Sequence, residues 1–247
     1  MTTGAGLFFR YAKPPNELGY CGPPTIGDVD ELTGRSEIAD AELAGLAREF
    51  HGAWPYLESI ATRARLSPLS QEVVESYWIG TDLTPGVDVH DWGNSIEQRF
   101  KSRAGARWPA LVGALNEGAA PDHAFHVYCV YPWVGLLKEG YVAPALDVLD
   151  NCRISRGRVV RRDGDGAVVV SSRRLAWIDD GLVETEPVDR VFHTPIGVSP
   201  GDTVSLHWGS VCQRLDRRQS SALQISHDHH LDIANRELRR SRLEPAR

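Results

Sequence analysis

Cys152 and His207 are the side chains whose types and setting best suit chemistry. Cys152 opens the stretch Cys-Arg-Ile-Ser-Arg-Gly-Arg-Val-Val, and 55 residues later Gly201-Asp-Thr-Val-Ser-Leu-His207-Trp-Gly closes a run rich in β-branched residues. A thiolate and an imidazole at the two ends of one compact β-unit can meet in space. Together they suit a transition metal better than calcium or magnesium. A ligating thiol must lose its proton, and Arg153, Arg156 and Arg158 are expected to supply the positive charge that favours the loss. The competing reading makes Cys152 a buried small hydrophobe and His207 a satisfied strand histidine.

Three further groups bear on chemistry. Cys21 sits in the tight turn Asn16-Glu-Leu-Gly-Tyr-Cys-Gly-Pro-Pro. Small, rigid neighbours there could expose its thiol as a nucleophile or an additional ligand, with His90, His123 or His126 as base. A cysteine-dependent enzyme built on Cys21 is therefore the alternative to metal handling. Its plain counterpart is a structural turn. His227 and His230 fall on one helical stripe with Leu223 and Ala234, and neutral imidazoles at i, i+3 could clip zinc or nickel. A solvated helix face explains the same spacing. His123 and His126 form another i, i+3 pair beside a dense apolar stretch, where a core histidine donating to a backbone carbonyl is expected. The sequence holds no Walker loop, dinucleotide fingerprint or Gly-x-Ser-x-Gly elbow, which argues against nucleotide-dependent and serine-hydrolase chemistry.

The elements that must position these residues change character near residue 150. Pro14, Pro15, Pro23 and Pro24, interleaved with glycines, mark 1–34 as a lead-in with little regular structure. Helical spacing follows over 41–48, from Pro55 through Ile60, and from a Ser67-Pro68 cap through Val73 and Trp78. Asn94 is expected to cap a fourth helix through Phe100, restarted at Pro109. The apolar segment 124–137 reads as a helix broken at Pro132. Beyond 150, β-like runs at Arg158, Ala167, Arg174 and Val188 are separated by Asp163-Gly-Asp-Gly and Asp179-Asp-Gly, which are hairpin signals. In the last run, 203–207, Val204 and Leu206 face one way while Thr203, Ser205 and His207 face the other. His207 is thus expected on a polar, accessible face. Asp216-Arg-Arg-Gln219 begins a C-terminal helix to about Arg240.

The fold expected is α+β: a helical domain over 1–145, then a small OB-like barrel with a C-terminal helix over 146–247. Charge supports the division. Residues 1–151 carry 11 basic and 20 acidic side chains, and residues 152–247 carry 16 and 13, the 16 all arginine. Acidic total charge and the absence of regularly placed strand aromatics argue against a nucleic-acid partner. No apolar run of 18 residues suggests a membrane span, and the first residues lack a signal-peptide pattern, so a cytoplasmic location with four free thiols is expected.

The order of parts resembles the HypC/HybG family of β-barrel chaperones in nickel–iron hydrogenase maturation. The matching residues are Cys152, Gly157-Arg-Val-Val, Asp163-Gly-Asp-Gly-Ala-Val-Val, Val198-Ser-Pro-Gly-Asp-Thr-Val-Ser-Leu-His207-Trp-Gly209 and Leu215-Asp216, all within about 150–225. The resemblance implies a chaperone, not a catalyst, with Cys152 ligating a transiently bound iron, an Fe(CN)2CO unit, and His207 ligating or hydrogen-bonding nearby. Its partners would be the hydrogenase large subunit or other maturation factors. Two departures stand out: Cys152 lies behind 151 residues instead of directly after an initiator Met, and Arg156 replaces the family's proline. The whole chain also resembles an uncharacterised actinobacterial family associated with hydrogenase genes.

Overall fold

A computed structural model describes residues 3–26, 37–84 and 108–243. The expected helix through Asn94 and Phe100, and His90, lie outside them. The described residues form a mixed α+β molecule: helices, a closed five-stranded barrel, and a long C-terminal helix. The helices are α1 (Gly4–Glu17), α2 (Glu37–Arg48), α3 (Trp54–Ala64), α4 (Gln71–Ile79), α5 (Trp108–Asn116), a short α6 (His123–Phe125) running into a π turn (His126–Val130), α7 (Trp133–Lys138), α8 (Val142–Cys152) and α9 (Arg217–Leu243). None of them is long and apolar enough to cross a membrane.

The strands are β1 (Ser155–Arg162), β2 (Ala167–Ser172), β3 (Leu175–Ile178), β4 (Gly181–Glu184), β5 (Val188–His193), β6 (Thr203–His207) and β7 (Ser210–Arg214). Five of them close in the order β1-β2-β5-β7-β6, with β6 returning to pair β1. All neighbours are antiparallel except β5 and β7, which meet in parallel at His193 and Ser210. With β3–β4 set aside as a separate two-stranded hairpin, this is the strand order of an OB-like barrel. Valines at 159, 168, 170, 204 and 211 fill its interior with Leu206 and Phe192. Asp163-Gly-Asp-Gly turns β1 into β2 as the sequence suggests. Asp179 and Asp180, both at positive φ, make the two-residue turn of the β3–β4 hairpin.

Some local readings hold and others need correction. Pro109 falls in the first turn of α5, and Pro132 separates the π turn from α7. At the start of α9, Gln219 N–H donates to Asp216 Oδ1 at 2.8 Å and Asp216 N–H to Gln219 Oε1 at 2.9 Å, a reciprocal capping box. The third helical run starts later than Ser67-Pro68 implies: Ser70 caps α4, its hydroxyl accepting from Val73 N–H. The lead-in is not irregular, since Gly4–Glu17 forms α1 despite Pro14 and Pro15 in its last turns. Burial accounts for this. Leu7, Phe8, Phe9 and Tyr11 are buried, with Phe8 edge-on to Phe9 and Phe50. Each such side chain contributes roughly 1.5–3 kcal/mol on leaving water, enough to carry a helix past two prolines near its end.

The barrel interior is a cluster of its own, but the two expected halves are also joined by a shared one. A single cluster of buried apolar residues runs from α1, α3 and α4 to Ile154, Cys212, Leu215, Leu223 and Ile233. The expected 145/146 boundary falls inside α8, whose last residues deliver Cys152 to the barrel.

Candidate metal centre

Cys152 and His207 do meet. One ligand atom each from Cys152, His207 and His123 lies within 4.8 Å of the others, and all three residues are buried. Three elements converge here: the last turn of α8, the end of β6, and the start of α6. Their joining follows from the carbonyls that a helix C-terminus leaves without helical partners. The Asn151 carbonyl accepts from Trp208 N–H at 3.0 Å, tying α8 to the β6–β7 turn. The next carbonyl, of Cys152, accepts from His123 Nε2–H at 2.9 Å. The expectation that His123 donates to a backbone carbonyl is thereby met, at the residue that also supplies the thiol.

His207 is not on an accessible face; it is 2% exposed. Alternation along β6 is as expected, with Val204 and Leu206 inside the barrel, but α1 lies over the other face. Tyr11 of α1 places its hydroxyl 2.7 Å from Ser205 Oγ and donates to Gln213 Oε1 at 3.0 Å. Its carbonyl accepts from His207 Nδ1–H at 2.8 Å. Pro15 makes that carbonyl available. The residue four beyond Tyr11 would normally donate to it, and a proline has no N–H to give. With Nδ1 carrying the proton, Nε2 of His207 holds a lone pair; it forms no hydrogen bond, though the Cys152 carbonyl lies close enough to the ring to act on it. A buried imidazole anchored by one nitrogen on a carbonyl, its other nitrogen unmet, is the arrangement of a metal ligand.

These groups line a cavity of about 60 Å³ walled by Tyr77, Trp78, His126, Tyr131 and Trp208. Cys21 lines it too, so the two cysteines singled out in the sequence face one space. The Cys21 turn is held by Asn16, whose Nδ2 donates to the carbonyls of Cys21 at 2.7 Å and Pro23 at 2.8 Å. Gly22 has φ +82°, and a Cβ there would lie 2.4 Å from the Phe50 ring, so no larger residue fits. At the rim, exposed Tyr20 packs on half-buried Trp208 with ring centroids 4.2 Å apart. Trp208 itself has φ +46°. A bulky residue in the left-handed region costs on the order of 1 kcal/mol or more. The two-residue Trp208-Gly209 turn between paired His207 and Ser210 requires that backbone and hangs the indole over the site.

The electrostatics are those of a dry, uncharged pocket. Burial pushes the Cys152 thiol up to about 12, and nearby Cys21 adds to the rise. The Trp208 indole N–H makes no formed hydrogen bond but lies where it favours the thiolate. Burial also pushes Cys21 up to about 12, His123 down to about 4, and His207 well below its ordinary value. Each is neutral at neutral pH. The arginines do not supply the charge expected of them. Arg153 turns away into a buried network, donating to Asp150 Oδ1 at 3.2 Å, Glu184 Oε1 at 2.6 Å and His227 Nε2 at 2.9 Å. Arg156 donates to Ser220 Oγ. A metal ion's own charge would lower the thiol here.

His227 and His230 are buried on one face of α9, as the spacing implies, but their nitrogens are engaged separately. Besides Arg153, His227 Nε2 meets the Tyr128 hydroxyl at 3.0 Å, and Nδ1–H donates to Asp228 Oδ1 at 3.2 Å. Glu184, His227 and Asp228 also converge within 4.8 Å, but the Arg153 guanidinium already supplies their cation. His230 donates from Nδ1 to the Ser226 carbonyl at 2.8 Å and accepts from Ala120 N–H at 3.2 Å. What the sequence reading missed at the centre is His123 as a third donor. Its proximity to Cys152 and His207 spans separations that no local spacing encodes.

No curated protein and no solved structure matches the chain. The sequence model of a family of unknown function, DUF6390, matches residues 1–241, nearly the whole of the 247, and the chain belongs to that family.

Proposed function

We propose that this protein is a cytoplasmic accessory protein that holds a transition-metal unit as cargo, with Cys152 and His207 as ligands. In its specific form the cargo is the iron of an unfinished nickel–iron hydrogenase, and the partner is the immature large subunit or another maturation factor. The observation that carries the reading is the convergence of the Cys152 thiol and a ring nitrogen of the buried His207 within 4.8 Å, with no formed hydrogen bond at His207 Nε2. A soft sulfur and an imidazole suit iron, nickel, zinc or copper. A barrel preceding an amphipathic helix, with Cys152 just before its first strand and His207 at the end of β6, is what the resemblance described above leads one to expect.

The chemistry asked of the protein is retention. On loading, the thiol gives up its proton and the sulfur and imidazole lone pairs are donated to the ion, so binding is proton-releasing and favoured as pH rises. The Cys21 alternative is less favoured: burial raises its thiol, and burial lowers His123 and His126, which weakens either ring as a base.

The test is infrared spectroscopy of protein purified anaerobically from cells expressing a hydrogenase maturation set, beside Cys152→Ser and His207→Ala. Bands of metal-bound carbon monoxide and cyanide are expected in the wild type and absent from Cys152→Ser. A featureless wild-type spectrum from protein that carries no iron would sink the iron-carrier form of the reading.

A further inference from the structure

We infer that His123 is a third protein ligand, so that Cys152, His207 and His123 together hold one divalent transition-metal ion whose fourth coordination position opens onto the aromatic cavity and takes a small anion. This rests on the metal-holding reading above and goes beyond it by fixing the coordination number and the class of exogenous ligand. The three donor atoms lie within 4.8 Å of one another. Around a tetrahedral ion with metal–sulfur and metal–nitrogen bonds of about 2.3 and 2.1 Å, ligand atoms sit roughly 3.5 Å apart. A contraction of about 1 Å, within reach of small side-chain rotations, closes the site.

His123 has the supports that a ligand needs. Its Nε2–H donates to the Cys152 carbonyl at 2.9 Å, and its Nδ1 meets the Tyr77 hydroxyl at 3.3 Å. Ligation through Nδ1 would give up only the long Tyr77 contact, while Nε2–H stays on the Cys152 carbonyl, the outer-shell pattern of ligating histidines. The rings of His123 and His207 stand edge to face with centroids 5.2 Å apart, so their lone pairs do not compete for one direction.

Charge argues for the anion. Cys21 lines the cavity but stands outside the 4.8 Å cluster, so one thiolate faces the divalent ion and a net positive charge is left in an apolar site. No carboxylate, lysine or arginine lines the cavity among the described residues. An unbalanced buried charge is costly, and a small anion in the open position removes it. The cavity of about 60 Å³ has room for a few water molecules, hence for a ligand of about two or three heavy atoms, and Trp208 stands beside it.

Cobalt(II), added anaerobically to the full-length protein, is the probe. The wild type is expected to give the intense visible absorption of four-coordinate cobalt with a thiolate-to-cobalt charge-transfer band, and azide is expected to shift the visible bands. His123→Gln should lose that visible intensity and weaken cobalt binding by about 10–100-fold or more. His123→Cys should keep four-coordination and add a second thiolate's charge-transfer absorption, which a merely structural histidine would not do. It also keeps the test decisive if the glutamine variant does not fold. Unchanged spectra and affinity in His123→Gln, with the charge-transfer band lost in Cys152→Ser, would overturn the role of His123 and leave the two-ligand reading standing. Loss of nothing in Cys152→Ser would instead remove the metal-holding reading itself. Failure of azide to move the bands would overturn the open position.

Discussion

His126 shows how a single buried ring ties this molecule to pH. It is 4% exposed and stacks between Tyr56 and Tyr131 at centroid distances of 5.1 and 4.4 Å. Burial pushes it down to about 3, as it pushes His123 to about 4, from an ordinary 6.5. The sign follows from linkage. As pH falls below 6.5 the unfolded chain takes up a proton that the folded ring refuses, so the unfolded state binds more protons and stability drops. The stabilisation is complete above pH 6.5 and drains away toward the folded value. Each pH unit in that window costs about 1.4 kcal/mol per ring. Urea unfolding in the presence of a chelator should therefore show a loss on the order of 2 kcal/mol per buried ring between pH 6.5 and 5. His126→Gln should have a shallower slope by about one proton. A flat wild-type profile over that range would mean that these rings are charged in the folded protein. Cys152 behaves in the opposite sense to its sequence-based expectation for the same reason. The nearby arginines are visible in the sequence, but which carboxylates claim them is not, and Arg153 is claimed by Asp150 and Glu184.

At the scale of elements, the β3–β4 hairpin stands outside the barrel; Leu175 and Leu182 pack with Ala234 and Leu238 of α9, and Asn235 of α9 completes the edge of β4. Asn235 accepts from Leu182 N–H at 2.9 Å and donates to the Leu182 carbonyl at 2.9 Å, acting as the neighbouring strand that β4 lacks on that edge. Leu182 is buried, so removing the amide leaves two backbone groups unmet. Asn235→Ala should cost about 1–3 kcal/mol and speed hydrogen exchange at the Leu182 amide while β6 and β7 stay protected. Equal acceleration throughout the barrel would show that the hairpin is not held locally. Elements of this kind also mark where the sequence is legible. Turn chemistry at Asp163-Gly-Asp-Gly and Asp179-Asp-Gly, the Asp216/Gln219 box and the valine-rich runs are local signals, and the structure follows them. β7 is buried at three successive positions and so shows no alternation, and β4 begins at the glycine of the Asp179-Asp-Gly turn signal itself, so neither is legible. The α1 helix was hidden by Pro14 and Pro15, whose local cost is outweighed by burial of Leu7, Phe8 and Phe9. The role of Pro15 in freeing the Tyr11 carbonyl for His207 involves a partner 196 residues away in the chain.

Over the whole molecule, the candidate site exists only because the two compositional halves are packed as one. The change from acidic and helical to arginine-rich and β-like near residue 150 is real in the sequence, and it marks where helices give way to strands. One buried cluster nevertheless crosses it, from α1, α3 and α4 to Ile154, Cys212, Leu215 and Ile233. Tyr11 and His123 come from the first half, Cys152 from the junction and His207 from the barrel, and all four are buried. Tyr11 stacks on Trp78 with centroids 5.0 Å apart, and Trp78 in turn packs on His123 and His207. Loosening either half would therefore expose the ligands of the other. A shared core of this kind predicts cooperative unfolding. Tryptophan fluorescence, weighted to the helical half by Trp54, Trp78, Trp92, Trp108 and Trp133, should fall in the same denaturant transition as hydrogen-exchange protection of the barrel strands. Residues 146–247 expressed alone should lack a cooperative transition, because β6 would lose α1 from the face that carries Ser205 and His207. Two separated transitions, or a barrel fragment that melts cooperatively and still binds cobalt through Cys152, would show that the site belongs to the barrel alone and that the helical half is an independent addition.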